Sequence, residues 1–483
     1  RANNGVMIQA SATAVDLRGG GALRVAGAGI GTSTPVFVHR ATAANIAGGV
    51  AYGTDDPRHL LNVPAGRMSA FEDDPDNFLR WLRTRDPRVS GGSFIPRKTY
   101  GEYIATLFRD TLAAASSAQV ATSVDRVRDE VVRVEPGAAE RWRVVTRAGA
   151  SHEVSSVLLA IGHFAPPPLG NDDATRAFEA GPLFARNAWS AEALDVAPDR
   201  DVLLVGTGLT MFDLALSLHG RGHRGTVWAI SRRGLLAQAH RVSSTPPRPY
   251  PRPRTLDSWP ATALGYLRGL RREVELGADQ GIDWREVVTS IRHDTPAMWA
   301  RLSPRERARF LRHVRPFWET HRHRASPETA AVVDAMTGSG ALRVLAGRIV
   351  SMREERVGAE ACAVVTVRER ATGAAREIRC AKVINCTGPD TDLTRVQDPL
   401  VQHLRWSGLI RPDELGLGLD SDDSGCVIDA RGQAQPGLYL VGPLRKGKLW
   451  ENTAVPELRN EVERMATTLS GVVVRTPGAR ARV

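Results

Sequence analysis

The sequence contains no uninterrupted apolar run of about 18 residues, the length that a membrane-spanning helix requires. Its N-terminal residues also lack the basic-then-apolar order of a secretory signal. We therefore expect a cytoplasmic protein without a membrane partner. Its 483 residues, with ordinary apolar and charged fractions, predict two or three domains that each have a core.

Cysteine is scarce as well. The four cysteines, Cys362, Cys380, Cys386 and Cys426, form no CxxC or CxxxxC pair. This spacing argues against a disulfide framework, a zinc site and a disulfide reductase, and it fits reduced thiols. Cys386 ends an apolar segment, so we interpret it as a core residue and not as a nucleophile.

Lysine is rare although the net charge is +11 at pH 7. It occurs only at positions 98, 382, 446 and 448, and the arginines that supply most of the charge are dispersed along the chain. Because no basic stripe, zinc finger or RNA-binding motif accompanies them, nucleic acid is not the expected partner. Cofactor phosphates or an acidic small-molecule substrate explain the arginines better.

Three histidines, His313, His321 and His323, are the nearest approach to a metal-site pattern. They stand among arginines on helical sequence, without the spacing of carboxylates that a metal site would show. We therefore predict no metal site here.

One pattern occurs twice in the chain. Alternating segments within 127–145 precede an apolar strand that stops at Gly162, and alternating segments within 363–380 precede an apolar strand that stops at Gly388. Two β-meanders, each followed by a buried strand and a glycine, predict two related α/β units. Between them, residues 241–336 carry apolar residues at helical spacing and predict an inserted helical cap.

A dinucleotide fingerprint lies in the second unit. The apolar strand 201–205 runs into Gly206-Thr207-Gly208-Leu209-Thr210 and then into an amphipathic helix at 212–218. The first glycine permits the tight turn, the second lets a pyrophosphate approach the backbone, and the helix N-terminus offers free N–H groups. Met211 replaces the third glycine, but the strand, turn and helix arrive in the order that a nucleotide site requires.

The next strand favours NADP over NAD. It ends in Ser231-Arg232-Arg233, where an NAD site would place an acidic residue on the ribose 2′-hydroxyl. Arginines at this position would pair with a 2′-phosphate. The alternative is a basic turn that points into solvent.

The first unit has no comparable fingerprint. Gly27-Ala28-Gly29-Ile30-Gly31 is followed by a strand at 36–38 and not by a helix, so we reject it. We predict the first helix at 10–18, although the turn before it lacks the expected glycines. The strand ends in His39-Arg40, where an FAD site normally has an acid. The chain begins with Arg1 and not with methionine. We therefore expect any intact first fingerprint to lie upstream of Arg1.

Several segments resemble one protein family. They are GGVAYGTDDPRHLLNVPAGRMS at 48–69, PRKTYGEY at 96–103, VGTGLTMFD at 205–213 with the following SRRG, INCTGP at 384–389, and LVGPLRKGKLWENTAVPELR at 440–459. Together they resemble the FAD/NAD(P)-binding family that includes the YdhS-like bacterial flavoproteins, related to class B flavin monooxygenases and amine N-hydroxylases. The likeness covers nearly the whole chain.

The resemblance implies an α/β fold with two Rossmann-like dinucleotide-binding domains that carry β-meander insertions, plus an inserted helical segment. It implies an FAD-binding domain at 1–165 and 381–483, an NAD(P)-binding domain at 195–240 and 337–380, and a helical cap at 241–336. The cofactor-binding residues it implies, besides those of the fingerprint and the arginine turn, are Gly48, Gly49, Asn62, Met68, Gly162, Gly388, Gly442, Pro443, Thr453 and Ala454. The last four lie where a helix N-terminus would face the flavin ring and stabilise its reduced form.

The resemblance also implies a function. We expect an FAD-dependent, NADPH-using oxidoreductase, a flavin monooxygenase that N-hydroxylates a small amine or amino acid. His59 and His163 are candidate proton carriers, against a structural role for each. Two alternatives stay open: an NAD(P)H dehydrogenase with another electron acceptor, and a degenerate flavoprotein that acts as a binding subunit.

Overall fold

The computed structural model describes residues 5–11, 15–16, 24–25, 35–40, 49–117, 123–170, 172–242, 248–358 and 360–474. The chain forms two compact units. The first comprises Arg1–Asp55, Val63–Phe164 and Thr391–Val483, and the second comprises Asp56–Asn62 and Ala165–Asp390.

The strands β1 to β18 are, in chain order, Gly5–Ser11, Val15–Asp16, Arg24–Val25, Pro35–Arg40, Ser123–Arg128, Val131–Pro136, Trp142–Thr146, Ser151–Val154, Ser156–Ala160, Phe184–Ala185, Val202–Val205, Val227–Ser231, Leu342–Val357, Glu360–Glu369, Ala375–Cys380, Lys382–Asn385, Cys426–Ile428 and Ala434–Leu440.

The helices α1 to α13 are Gly49–Tyr52, Asn77–Arg83, Arg97–Ser117, Asp173–Glu179, Leu209–Gly220, Ala263–Asp279, Trp284–Ser290, Thr295–Arg301, Pro304–Arg309, Arg315–Arg322, Pro327–Gly338, Pro399–Trp406 and Val455–Val474. A π-helical turn, Phe310–Val314, joins α9 to α10. Among the helices of the described ranges, none is long and apolar enough to cross a bilayer.

The main sheet of the first unit has the strand order β17-β18-β9-β4-β1-β5. Strands β18, β9 and β4 are parallel, whereas β1 runs antiparallel to both β4 and β5. A separate meander, β6-β7-β8, packs its buried valines and Trp142 into one core with β9, β18 and α12. The predicted combination of a meander and a buried parallel strand is confirmed in this unit.

The helix predicted at 10–18 is wrong. Residues Gly5–Ser11 form β1 and Val15–Asp16 form β2, while the strand predicted at 36–38 is confirmed as part of β4. The reason is non-local: β1 pairs on one side with β4 and on the other with β5, so its backbone is satisfied in the sheet. The rejected glycine loop at 27–31 lies outside the described residues.

The sheet of the second unit has the order β10-β16-β11-β12-β13-β14-β15. It is parallel from β10 to the first part of β13 and then turns into an antiparallel meander. One face packs on α5 and α11, where Met211, Leu214 and Val333 are fully buried. This is the second α/β unit with a meander that the sequence pattern predicts.

The pairing of β16 places the boundary between the second unit and the C-terminal segment of the first unit later than predicted. We predicted that the C-terminal FAD segment begins at 381, but β16 pairs in parallel with β10 and β11 of the second unit. Val383 and Ile384 are completely buried in the cores of that unit, which explains why the strand belongs to it. The second unit therefore extends to Asp390.

Helices α6 to α11 lie in the chain between β12 and β13, where the sequence predicts a helical insertion. Their first turns follow from local chemistry. The Ser303 side chain accepts a hydrogen bond from the Glu306 N–H, and the Ser326 side chain accepts one from Thr329; each serine precedes a proline at the first helical position. Such caps satisfy N–H groups that a helix start leaves free.

Candidate dinucleotide-binding site

The predicted fingerprint folds as a strand, a glycine turn and a helix. β11 is fully buried, and α5 begins one residue after the cap at Gly208. With 12 residues, α5 is long enough for its N-terminal N–H groups and dipole to favour an anion. The strand, turn and helix predicted from the sequence are therefore confirmed.

Glycine is suited to positions 206 and 208 for different structural reasons. Gly206 has a φ of +114°, and a Cβ built there would lie 2.6 Å from the backbone oxygen of Cys386. The fold itself therefore requires glycine at this position. Gly208 has a φ of −83°, and a Cβ there would meet no atom within 4 Å. The protein leaves open space at Gly208, as close approach by a ligand would need.

Hydrogen bonds hold the arginine turn against the fingerprint. The Thr207 hydroxyl donates to the Leu235 carbonyl oxygen at 2.6 Å and lies 2.9 Å from the Ser231 hydroxyl. The Ser231 oxygen accepts the Gly234 N–H at 2.9 Å. The turn after β12 is thus fixed beside the N-terminus of α5.

A cavity of about 780 Å³ opens at this edge of the sheet. It is lined by Thr207, Gly208, Leu209, Thr210, Ser231, Arg232, Arg233, Leu235, Ala237, Arg312, Pro316, Glu319, Thr320, His323, Gly347, Arg348, Arg368, Glu369, Arg370, Gly373, Cys386, Thr387 and Gly388. The structure therefore brings together the predicted residues of the second unit, except Gly206 and Asn62, which do not line the cavity.

The electrostatic character of the cavity is positive. Sequence reasoning found two of its arginines and missed four, Arg312, Arg348, Arg368 and Arg370. The two glutamates of the lining are already engaged: Glu369 pairs with Arg376 at 2.5 Å, and Glu319 lies 3.3 Å from Arg315 and 3.2 Å from His323. The net lining charge suits an anionic ligand.

Cys386 belongs to the lining of the cavity but is almost completely buried. It is 4% exposed and belongs to the core around α5, as the sequence predicts. Burial, together with the charge of Asp213, raises the pKa of its thiol well above the ordinary range. A thiol that stays protonated at neutral pH is a poor nucleophile.

His59 does not line the cavity. Its Nε2 lies 2.8 Å from the Ser217 hydroxyl and 3.1 Å from the Asp213 carbonyl oxygen, and Ser217 donates to Asp56 at 2.6 Å. Burial alone would raise the pKa of Asp56, but hydrogen bonds from Arg58 and Ser217 hold it well below its usual range. Because the Ser217 hydroxyl donates its hydrogen bond to Asp56, these three side chains hold residues 56–62 against α5, and the role of His59 as a proton carrier stays a prediction.

In the first unit, three predicted glycines have open space at the position that a Cβ would occupy. Gly49 (φ +47°) begins α1, Gly162 (φ +63°) follows β9, and Gly442 (φ +98°) follows β18. A Cβ at any of the three would meet no atom of the described residues within 4 Å. Because β9 and β18 are parallel neighbours, Gly162 and Gly442 lie at the same edge of the sheet.

A buried polar cluster supports the loop after Gly442. The Glu461 carboxylate accepts the Gly442 N–H at 3.1 Å, binds Arg445 at 2.9 Å and also accepts a hydrogen bond from Asn452. All three side chains are less than 5% exposed. Pro443 begins the short helical turn that carries Arg445, and this cluster was not singled out from the sequence.

The remaining predicted residues are distributed over both units. Thr453 and Ala454 immediately precede α13, so the predicted helix starts at Val455. Met68 is buried in the first unit, whereas Asn62 belongs to the second, where its carbonyl oxygen lies 2.9 Å from the His240 ring nitrogen. Gly48 lies outside the described residues.

His163 follows Gly162 and is exposed. Surrounding protein atoms and the positive charge of Lys446 hold the pKa of its imidazole below the usual range. Its role as a proton carrier stays a prediction.

The three histidines of the helical segment have other contacts. The ring of His321 packs edge-on against Trp284 with its Nδ1 2.8 Å from the Phe317 carbonyl oxygen, and His323 lies beside Glu319. Within the described ranges, no group of three or more metal-ligating side chains is assembled.

Residues 31–164 match the FAD-NAD(P)-binding protein family. The FAD-NAD(P)-binding match ends at Phe164, which is also where the second segment of the first unit ends. No curated protein matches the chain by sequence.

Solved structures of two ornithine hydroxylases and of a lysine monooxygenase share the fold. The ornithine N-hydroxylase of Kutzneria sp. 744, in a structure with reduced FAD, NADP⁺ and L-ornithine, has a TM-score of 0.55 at 13% identity over 86% of this chain and 88% of that one. The ornithine hydroxylase of Pseudomonas aeruginosa gives 0.52 at 15% identity over 88% and 89%. The L-lysine 6-monooxygenase of Pseudomonas syringae gives 0.54 at 15% identity over 85% and 86%. The predicted α/β fold, with two units that each carry a β-meander, is confirmed.

The two units differ in the features that they offer to the phosphates of a dinucleotide. In the second unit, the open space at Gly208 and the N-terminus of α5 suit a pyrophosphate. The arginine turn suits a 2′-phosphate. In the first unit, the edge that carries Gly162 and Gly442 is open, but β4 pairs directly with β9. Among the described residues of the first unit, no strand between β4 and β9 carries a glycine turn into a helix.

Proposed function

We propose that this chain is an NADPH-using, FAD-dependent oxidoreductase that N-hydroxylates a small amine or amino acid. The observation that carries the proposal is the arginine-lined cavity at the glycine turn of the second unit. The fold shared with ornithine and lysine hydroxylases supports the reaction class.

The residues of the cavity have separate tasks in this proposal. The space at Gly208 and the first N–H groups of α5 would hold the pyrophosphate, and Arg232 and Arg233 would hold the 2′-phosphate. When bound, NADPH and FAD supply hydride transfer and oxygen chemistry, so no protein nucleophile is required. The protonated, buried Cys386 agrees with this division of work.

The substrate class is proposed from the proteins that share the fold. Their printed names give ornithine and lysine as what they act on. A small amine with a carboxylate, such as an α-amino acid with a terminal amino group, is therefore the substrate class that we propose.

Reconstituted protein tests this function. With added FAD, anaerobic NADPH should bleach the flavin faster than NADH, because only NADPH carries the 2′-phosphate that the arginines select. Oxygen together with a panel of amino acids should then yield a hydroxylamine product. Flavin reduction that is equal or faster with NADH would contradict the NADPH assignment, and hydrogen peroxide without hydroxylamine from any amine would favour a dehydrogenase or oxidase.

One observation favours a second candidate, a nucleotide-binding protein that has lost its flavin. The direct pairing of β4 with β9 leaves the described part of the first unit without a pyrophosphate cradle. This candidate predicts a colourless protein that stays colourless with excess FAD yet still binds NADPH. A yellow protein with stoichiometric FAD would rule it out.

A further inference from the structure

The meander of the second unit places two arginines directly opposite each other. In the register of β13 with β14, Arg348 is the partner of Arg368. Side chains of directly opposed residues project from the same face of an antiparallel pair. Both arginines are exposed, and both line the cavity together with Arg370, the first residue after β14. Like charges in this position are unfavourable without an anion between or beside them.

Three other arginines of the same meander are paired with carboxylates. Arg353 pairs with Glu377 at 3.1 Å, Arg376 pairs with Glu369 at 2.5 Å, and Arg379 pairs with Glu355. Of these residues only Glu369 lines the cavity, and its carboxylate is bound to Arg376. The carboxylates of the meander are thus paired with arginines other than Arg348, Arg368 and Arg370.

Within the described part of the chain, no carboxylate lies within ion-pair distance of Arg348, Arg368 or Arg370. Glu369, which stands between Arg368 and Arg370 and also lines the cavity, is held by Arg376 and accepts a hydrogen bond from the Thr372 hydroxyl at 3.1 Å. Three guanidinium groups are therefore available to a ligand in the cavity.

The meander meets the arginine turn at one point. A Cβ on Gly234 would lie 3.1 Å from the Cβ of Ala346, and the Arg370 N–H donates to the Ala346 carbonyl oxygen at 2.8 Å. The turn that carries Arg232 and Arg233 therefore approaches the strand two residues before Arg348. The sequence could not reveal this, because the two groups of arginines are more than a hundred residues apart.

We propose that Arg348, Arg368 and Arg370 form a subsite for a phosphate monoester dianion. The inference rests on the proposed function for its natural ligand, which is then the 2′-phosphate of NADPH. The planar fork of a guanidinium binds phosphate oxygens in pairs, and two or three forks around one dianion also remove the repulsion between Arg348 and Arg368. The meander, and not only the turn after β12, then determines the choice of NADPH over NADH.

The test compares Arg368→Gln with Arg356→Gln, a control on the same meander whose arginine is exposed, lies near Glu354 and does not line the cavity. Fluorescence titration should show NADPH affinity reduced about ten-fold or more by Arg368→Gln, with NADH affinity changed by less than about two-fold. Arg356→Gln should change neither. Equal weakening of both nucleotides, or unchanged NADPH affinity, would overturn the subsite.

Inorganic phosphate provides a second readout that does not need the nucleotide. Phosphate should raise the unfolding temperature of the unmodified protein and not that of Arg368→Gln, whereas in phosphate-free buffer the variant should be at least as stable because a repulsion is removed. Arg348→Gln should behave in the same way, and identical phosphate responses in all proteins would overturn the subsite. If neither nucleotide binds the unmodified protein but the phosphate response is specific, the proposed function fails and the subsite stands with free phosphate as its ligand.

Discussion

Replacing Gly208 with alanine should weaken NADPH binding by about ten-fold or more while leaving the unfolding temperature unchanged. Gly208 has a φ that alanine adopts freely, and a Cβ there meets no protein atom within 4 Å, so folding gives no reason for a penalty. The methyl group would instead occupy the space in which a pyrophosphate meets the first turn of α5. Loss of one or two charge-assisted hydrogen bonds corresponds to a change of this size.

Gly206→Ala is the matched control, and it should give the opposite result. Its φ of +114° and the 2.6 Å approach of its Cβ to the Cys386 oxygen predict a destabilisation of about 3 kcal/mol or more. Urea unfolding and nucleotide titration of both variants measure the two effects separately. A Gly208→Ala protein that binds NADPH normally, or that unfolds as readily as Gly206→Ala, would contradict the assignment of the open space to a ligand.

Breaking the buried ion pair between Glu461 and Arg445 should cost about 3–5 kcal/mol of unfolding free energy. Both side chains are almost fully buried, at 2% and 3% exposure, and their closest atoms lie 2.9 Å apart. Glu461→Leu leaves the guanidinium without its carboxylate and also removes the acceptor of the Gly442 N–H. Urea denaturation of the variant and of the unmodified protein measures the loss.

Two further variants distinguish the effect of burying an ion pair from the effect of removing one charge. Asp420→Asn breaks an ion pair with Arg411 of similar length, 2.7 Å, whose side chains are 29% and 45% exposed, and it should cost less than about 1 kcal/mol. Combining Glu461→Leu with Arg445→Met should recover part of the lost stability, because no buried charge is then left alone. If Glu461→Leu costs no more than Asp420→Asn, the cluster does not support the loop after Gly442 as described.

The second unit could be predicted largely from local sequence. Its strand, glycine turn and helix are contiguous in the chain, and each glycine has a physical role that sequence spacing reveals. Ser231 and the arginines after it were found because they follow the next strand. Arg348, Arg368 and Arg370 were missed because their common feature is register between two strands, which periodicity does not specify.

The first unit shows where local reasoning fails. Residues 10–18 were predicted to be helical, yet β1 is a strand because β4 and β5, far apart in the chain, pair with its two edges. The cluster around Glu461 was also missed, since a glutamate, an arginine and an asparagine spread over 445–461 look like solvent-exposed residues until α13 folds back on the loop. Long-range packing, and not propensity, decides both cases.

The central claim, that the second unit selects NADPH, is tested most directly by calorimetric titration of the unmodified protein with NADPH and with NADH. The account predicts one NADPH bound per chain with an affinity at least about ten-fold above that for NADH, and a preference that shrinks as salt screens the arginines. Equal affinity for the two nucleotides, or no binding of either, would contradict it.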